Sequence, residues 1–188
     1  MGRYHVQFKC HHCGHCCTDV ICLPTPWDVL RIAMGTGENP YTFLEFLSSE
    51  EITGVEKSDP TWLEVNGERY MMAVQRDETV GCFFLDKQTE FCSIYEQRPL
   101  LCRLYPFKLH ETRNAEFDSF SLHTDVGCPR NQDGIHETKP LYELYLQDKM
   151  HQDDYAALVQ AFNKDKNMTR NPDDFLQLFI EIVDADQI

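Results

Sequence analysis

The segment Phe8-Lys9-Cys10-His11-His12-Cys13-Gly14-His15-Cys16-Cys17 constrains this chain more than any other. It places four thiols within eight residues as Cys-x-x-Cys-x-x-Cys-Cys. Core packing does not call for such density, because a buried cysteine acts as a small apolar filler and gains nothing from neighbours at two-residue intervals. A metal does call for it. Cys-x-x-Cys spacing lets two sulfurs converge on one ion or cluster face while the intervening backbone turns and points N–H groups at the thiolates. Gly14 fits that turn.

The choice of metal stays open at this level. Three chained cysteines are the way bacterial ferredoxins hold a 4Fe-4S cube, with a remote cysteine, often followed by proline, supplying a further bond. Cys128-Pro129 has that form. Four thiolates satisfy zinc equally well, so spacing alone does not decide between an iron-sulfur cluster and zinc. His11, His12 and His15 lie inside the cluster, but a loop with spare sulfur donors does not need them. His110, His123, His136 and His151 form no His-x-x-x-His pair.

At 188 residues the chain is long enough to bury a genuine core, so it does not need a metal merely because it is small. Its formal charge of -14 argues against a phosphate-binding surface, since nucleic-acid binders display a clustered basic footprint. Nine cysteines favour ligation over disulfides in a reducing compartment. The opening Met1-Gly2-Arg3-Tyr4-His5-Val6 has no apolar signal core, and no apolar run approaches a membrane span. The expectation is a cytoplasmic chain with a protein partner, no nucleic acid and no membrane. A Gly-x-Gly-x-x-Gly turn, a phosphate-cradling loop and a Gly-x-Ser-x-Gly elbow are all missing from the sequence.

Local signals give an α+β fold class: a small metal-stabilised cysteine-rich domain with short strands and a C-terminal helical part. Thr25-Pro26-Trp27-Asp28 is a capping-box-like helix start, with Gly35 or Gly37 at its end. Asn39-Pro40 repeats the signal and predicts a helix with Phe43, Leu44, Phe46 and Leu47 on its apolar face, followed by a polar loop over 48–60. Asn66-Gly67 between apolar runs predicts a hairpin over about 62–74. Further strands are expected at 82–85 and 116–122. Pro140 opens a helix that runs to Phe162 with a break near 151–154, and Asn171-Pro172 caps a last helix carrying Phe175, Leu178 and Phe179. The division is a cysteine-cluster metal-binding domain over 1–135 and a helical extension over 136–188 packed on it.

Cys82, Cys92 and Cys102 follow at ten-residue intervals, too wide for one chelating turn, so each comes from its own element. Phe-x-Cys-x-x-Cys-Gly-x-Cys-Cys near the start, then Cys-x-Phe-Leu, Cys-x-Ile-Tyr, Arg-Pro-x-x-Cys-Arg and Tyr-Pro-Phe, closely resemble the YkgJ-type cysteine-cluster family, the zinc- or iron-chelating CxxCxxCC domain. The match covers roughly 8–130. The resemblance implies eight ligand cysteines: Cys10, Cys13, Cys16, Cys17, Cys82, Cys92, Cys102 and Cys128. Cys22 falls outside the pattern.

Eight thiolates suffice for two four-sulfur sites. Adjacent Cys16 and Cys17 leave the backbone in different directions, which suggests dividing the set into Cys10, Cys13 and Cys16 with one remote cysteine, and Cys17 with the rest. Arg98 and Arg103 flank Cys102, where nearby cations stabilise thiolates. Tyr95, Tyr105 and Phe107 suit apolar shielding. The expected function is an iron-sulfur protein holding one or two 4Fe-4S clusters and moving electrons or supporting redox chemistry with a protein partner. The alternative is a zinc-binding structural or metallochaperone module. A third reading, protein lysine N-methylase-like activity, comes only from the family's flagellin branch, and no catalytic residue is assigned.

Overall fold

The computed structural model describes residues 4–18, 20–77, 79–114, 116–123, 134–165 and 170–185. In chain order it forms β1 (His5–Gln7), α1 (His15–Thr18), α2 (Pro26–Thr36), α3 (Pro40–Phe43), β2 (Leu44–Ser48), β3 (Leu63–Val65), β4 (Glu68–Val74), β5 (Arg76–Asp77), β6 (Gly81–Cys82), α4 (Leu100–Leu104), β7 (Phe107–Glu111), β8 (Phe117–Leu122), β9 (Ile135–Glu137), α5 (Thr138–Lys164) and α6 (Asp174–Ala185). The fold class is α+β. Its largest sheet has the order β2-β4-β3, and β1-β9, β5-β6 and β7-β8 form two-stranded antiparallel ribbons.

Helix α2 begins where its cap dictates. The Thr25 hydroxyl accepts from the Asp28 N–H, Asp28 accepts in return from the Thr25 N–H, and Gly37 closes the helix in the left-handed region at φ 76°. The Asn66-Gly67 turn carries positive φ at both positions, 54° and 86°, and joins β3 to β4 in register Leu63↔Tyr70.

The residues after Asn39-Pro40 depart from helical expectation. The cap holds only one turn, α3, with the Asn39 side chain accepting from the Tyr41 N–H at 3.0 Å. Leu44–Ser48 is then a strand paired antiparallel to β4. Its alternation explains why: Leu44 and Phe46 join the main core, while Leu47 joins a second cluster with Ile52, Trp62 and Met71. A short apolar run fits either period, and the β4 partner decides. The strand expected over 82–85 shortens to β6, because Phe83–Leu85 belongs to a turn in which the Leu85 N–H bonds the Cys82 carbonyl. Phe117–Leu122 is a strand as expected, and its partner β7 is new.

Helix α5 runs unbroken through 151–154. Leu141, Tyr155, Val159 and Phe162 keep helical spacing and remain buried, so continuing the helix keeps one face against apolar neighbours. The main core joins α2 (Val29, Ile32), the sheet (Leu63, Met72, Val74), α5 (Val159, Phe162) and α6 (Phe175, Phe179). Burying each such side chain contributes about 1.5–3 kcal/mol.

Asp28 ties these parts together. It is 1% exposed, and its carboxylate accepts from the Thr25 N–H (3.0 Å), the Thr25 hydroxyl (2.9 Å), Arg31 (2.5 Å) and the Leu100 N–H (3.0 Å). One buried carboxylate therefore caps α2 and receives the first N–H of α4. Asp28→Asn should lower unfolding free energy by about 2–4 kcal/mol, because an amide N–H2 replaces one acceptor oxygen against these donors. Urea titration checks this, and wild-type stability in the variant would count against the role given to Asp28.

Asp148 on α5 is half-buried, and burial together with the Asp28 carboxylate pushes it up to about 6. An unfolded aspartate ionises near pH 4, so the native state holds the extra proton between about pH 4 and 6. Stability from this group is thus highest below that window and falls as pH rises through it. Asp148→Asn should stabilise the protein at pH 7.5 by about 1 kcal/mol, allowing for the solvent that still reaches the group, with little gain at pH 4. Thermal melts at the two pH values read the difference.

Candidate metal centre

The Cys10–Cys17 segment reaches its geometry through two left-handed residues, His12 at φ 54° and Gly14 at φ 70°. The Gly14 carbonyl then accepts from the N–H groups of Cys17 (2.7 Å) and Thr18 (3.0 Å), winding the turn of α1 that carries Cys16 and Cys17. Cys82 ends β6, Cys92 bridges to Leu85, and Cys102 lies in α4. These last three cysteines pack against the main core. No disulfide joins any of the eight described cysteines. Cys128 and Pro129 lie outside the described residues.

Cys10, Cys13, Cys16, Cys17, Cys92 and Cys102 line one cavity of about 30 Å³, together with Tyr95, Tyr105 and Arg98. Cys17 is buried and central: its thiol interacts with the sulfurs of Cys16, Cys82 and Cys92. Those contacts and its burial hold Cys17 far above the usual thiol range. Its neighbours move the other way. Cys16 falls to about 7, held by the Cys17 hydrogen bond and then by the Arg98 charge. Cys92 also falls to about 7, through Cys17, the Ile94 N–H and Arg98. Cys82 is lowered by Cys17, the Phe84 N–H and Arg76. The four thiols thus act on one another, Cys17 being raised by the contacts that lower Cys16, Cys82 and Cys92.

Cys16 and Cys17 stand 3.9 Å apart, so the two sulfurs are in contact. Cys102 turns instead toward Cys22, at 3.3 Å. Among the described residues, no three Cys, His, Asp or Glu side chains surround a common point at coordination distance. The sulfurs meet each other.

The two flanking arginines have different partners. Arg98 stacks 3.6 Å from the Tyr95 ring centroid and lines the thiol cavity. Arg103 donates to the carbonyls of Arg98 (3.0 Å) and Glu96, bracing the loop ahead of α4. His12 packs on Phe91 and Tyr95, with ring centroids 5.3 and 4.4 Å away. Cys22 is the site neighbour that spacing does not reveal, since a lone cysteine five residues past the cluster carries no chelation signal.

Gly81 sets the approach of Cys82. At φ 103°, a Cβ built on it would lie 2.5 Å from the Cys17 carbonyl oxygen. Any side chain there separates β6 from α1.

A thiol group of this density on an α+β scaffold defines a cysteine-cluster metal-binding protein. The family model described as "Putative zinc- or iron-chelating domain", CxxCxxCC, matches residues 9–129, and the chain belongs to that family. An uncharacterized protein of Methanocaldococcus jannaschii is 38% identical over 83 residues, which is 44% of this chain and 38% of the relative. The chain thus matches well under half the length of that relative. No solved structure matches the chain.

Gly81→Ala should cost about 1–3 kcal/mol through its left-handed φ and the clash with Cys17, and should lower bound metal by displacing Cys82. Metal analysis alongside thermal unfolding checks both effects, and unchanged metal content would show that Cys82 does not depend on this approach.

Proposed function

We propose that Cys16, Cys17, Cys82 and Cys92 hold one thiolate-bound ion of the zinc class, and that the ion fastens the N-terminal loop to the core. The observation that supports this most is the contact group around Cys17, with Cys16 at 3.9 Å. A tetrahedral ion bonded to sulfur at ~2.3 Å sets its ligands ~3.8 Å apart, so this separation matches one edge of such a tetrahedron. In a 4Fe-4S cube each cysteine sits on its own iron, which asks for ligand sulfurs farther apart than the 3.9 Å between Cys16 and Cys17.

Bound there, zinc would supply charge compensation for four thiolates and a cross-link between segments remote in sequence. The chain's own residues prepare for this. Contact with Cys17 lowers the thiols of Cys16, Cys92 and Cys82, and the charges of Arg98 (on Cys16 and Cys92) and Arg76 (on Cys82) add to it. The Phe84 and Ile94 N–H groups hydrogen-bond the sulfurs of Cys82 and Cys92.

A second reading keeps the iron-sulfur expectation. Cys10, Cys13 and Cys16 line one cavity, as the triplet of a 4Fe-4S ligand set, and Cys128 ahead of Pro129 would complete it. The exposed Cys13 would then face the protein that exchanges electrons with the cluster.

Protein prepared anaerobically with reductant, analysed for zinc, iron and acid-labile sulfide, separates the two. The zinc reading expects a colourless chain with about one zinc and no sulfide. Cys17→Ser and Cys82→Ser should lose the metal, Cys13→Ser should keep it, and a chelator should lower the melting temperature. A brown protein with iron and sulfide in equal amounts, bleached by Cys13→Ser, would overturn it in favour of the cluster.

A further inference from the structure

The sulfurs of Cys22 and Cys102 are 3.3 Å apart across 80 residues of sequence, beside the group centred on Cys17. That is closer than the 3.9 Å between Cys16 and Cys17. We propose that Cys22 and Cys102 form a reversible dithiol–disulfide couple that responds to peroxide, a redox site distinct from the four sulfurs assigned to the metal.

The alignment is built into the fold. Asp28 accepts from the Thr25 N–H, three residues after Cys22, and from the Leu100 N–H, two residues before Cys102. A single carboxylate thus fixes the backbones on which both thiols are carried. Cys22 is 5% exposed in the main core, and Cys102 is the more exposed of the pair. A cavity of about 130 Å³ is lined by Cys22 and Cys102, with Cys16, Leu101 and His123 also on its wall. A water needs only about 10–15 Å³ of such space, so hydrogen peroxide can enter.

In the first step the Cys102 sulfur attacks one peroxide oxygen. The O–O bond breaks, a sulfenic acid forms, and one water leaves. The Cys22 sulfur then attacks the sulfenic sulfur, forming the S–S bond and expelling the hydroxyl with the thiol proton as a second water. Overall two thiols lose two electrons and two protons, and one peroxide becomes two waters. An external dithiol reverses the change by two exchange steps and is itself oxidised to a disulfide. The bond would join the segment ahead of α2 to α4 covalently, closing a long loop and constraining the unfolded chain.

The test uses the full chain, metal-loaded and prepared without oxygen, exposed to one equivalent of hydrogen peroxide. Thiols are then blocked by alkylation and the unreduced digest is mapped by mass spectrometry. Expected are a Cys22–Cys102 linked peptide pair two hydrogens lighter than the separate peptides, a raised melting temperature, and reversal of both by dithiothreitol. Cys22→Ala and Cys102→Ala should each abolish the link and the thermal shift, and reduced Cys22→Ala should keep its metal. The inference falls if both thiols are still alkylated after peroxide, if the link joins other cysteines, or if reduced Cys22→Ala loses its metal and so proves to be a ligand variant. Mapping on the unmodified chain decides the matter even if a variant fails to fold. Metal and sulfide content of the reduced chain reads the metal proposal separately, so either can fail alone.

Discussion

The Asp28 carboxylate is the interaction on which most of the structure turns. Buried without partners, a carboxylate would cost several kcal/mol, and it is retained because four donors converge on it from Thr25, Arg31 and Leu100. The same bonds that satisfy the charge fix the start of α2 and the start of α4. Arg31 also donates to the Arg98 carbonyl at 2.8 Å, which Arg103 shares, so the loop ahead of Cys102 is held from both sides. The placement of Cys102 and Cys22 is thereby a consequence of helix capping and not of the thiols themselves.

The relation of the cysteines to the core follows from that frame. Cys82, Cys92 and Cys102 pack on the apolar cluster shared by α2, the sheet, α5 and α6. A small zinc module without a core gathers its ligands only when the metal arrives. Here apolar burial already brings remote thiols near one another, and a metal would have to draw them about a common point. This also explains the contrast between Cys17, which is buried, and Cys13, which is exposed. The inner sulfurs belong to the packed structure, whereas the outer ones sit on the turn held by His12 and Gly14.

Short-range signals made much of this legible in the sequence. The Thr25–Asp28 capping box and the Asn66-Gly67 hairpin are local devices, and each stands where its residues place it. The cysteine spacing likewise announced the family. What stayed hidden depends on partners far away in the chain. Leu44–Ser48 becomes a strand only because β4 lies beside it. The run through 151–154 stays helical, with Trp27 of α2 donating to Asp154 at 3.0 Å and Tyr155 buried in the core. Adjacent side chains on one backbone suggest divergence, but in the short turn of α1 the sulfurs of Cys16 and Cys17 lie 3.9 Å apart. Cys22 gained a neighbour through Asp28, a carboxylate that the sequence marks only as a cap.

The distribution of charge bears on why a metal suits the Cys17 group. The chain carries an excess of acids even with its thiols neutral, and each ionised thiol adds to that excess. Arginines gather around the site, yet most of them are engaged with backbone oxygens: Arg76 with Val20 and Thr18, Arg31 and Arg103 with Arg98. Arg98 donates to the Tyr95 carbonyl and, after the contact with Cys17, also lowers both Cys16 and Cys92. Contact with the sulfurs of Cys16, Cys82 and Cys92, together with burial, holds the Cys17 thiol far above its usual range. A divalent ion bound by thiolates would bring two positive charges into this group, more than the arginines beside it supply to Cys17.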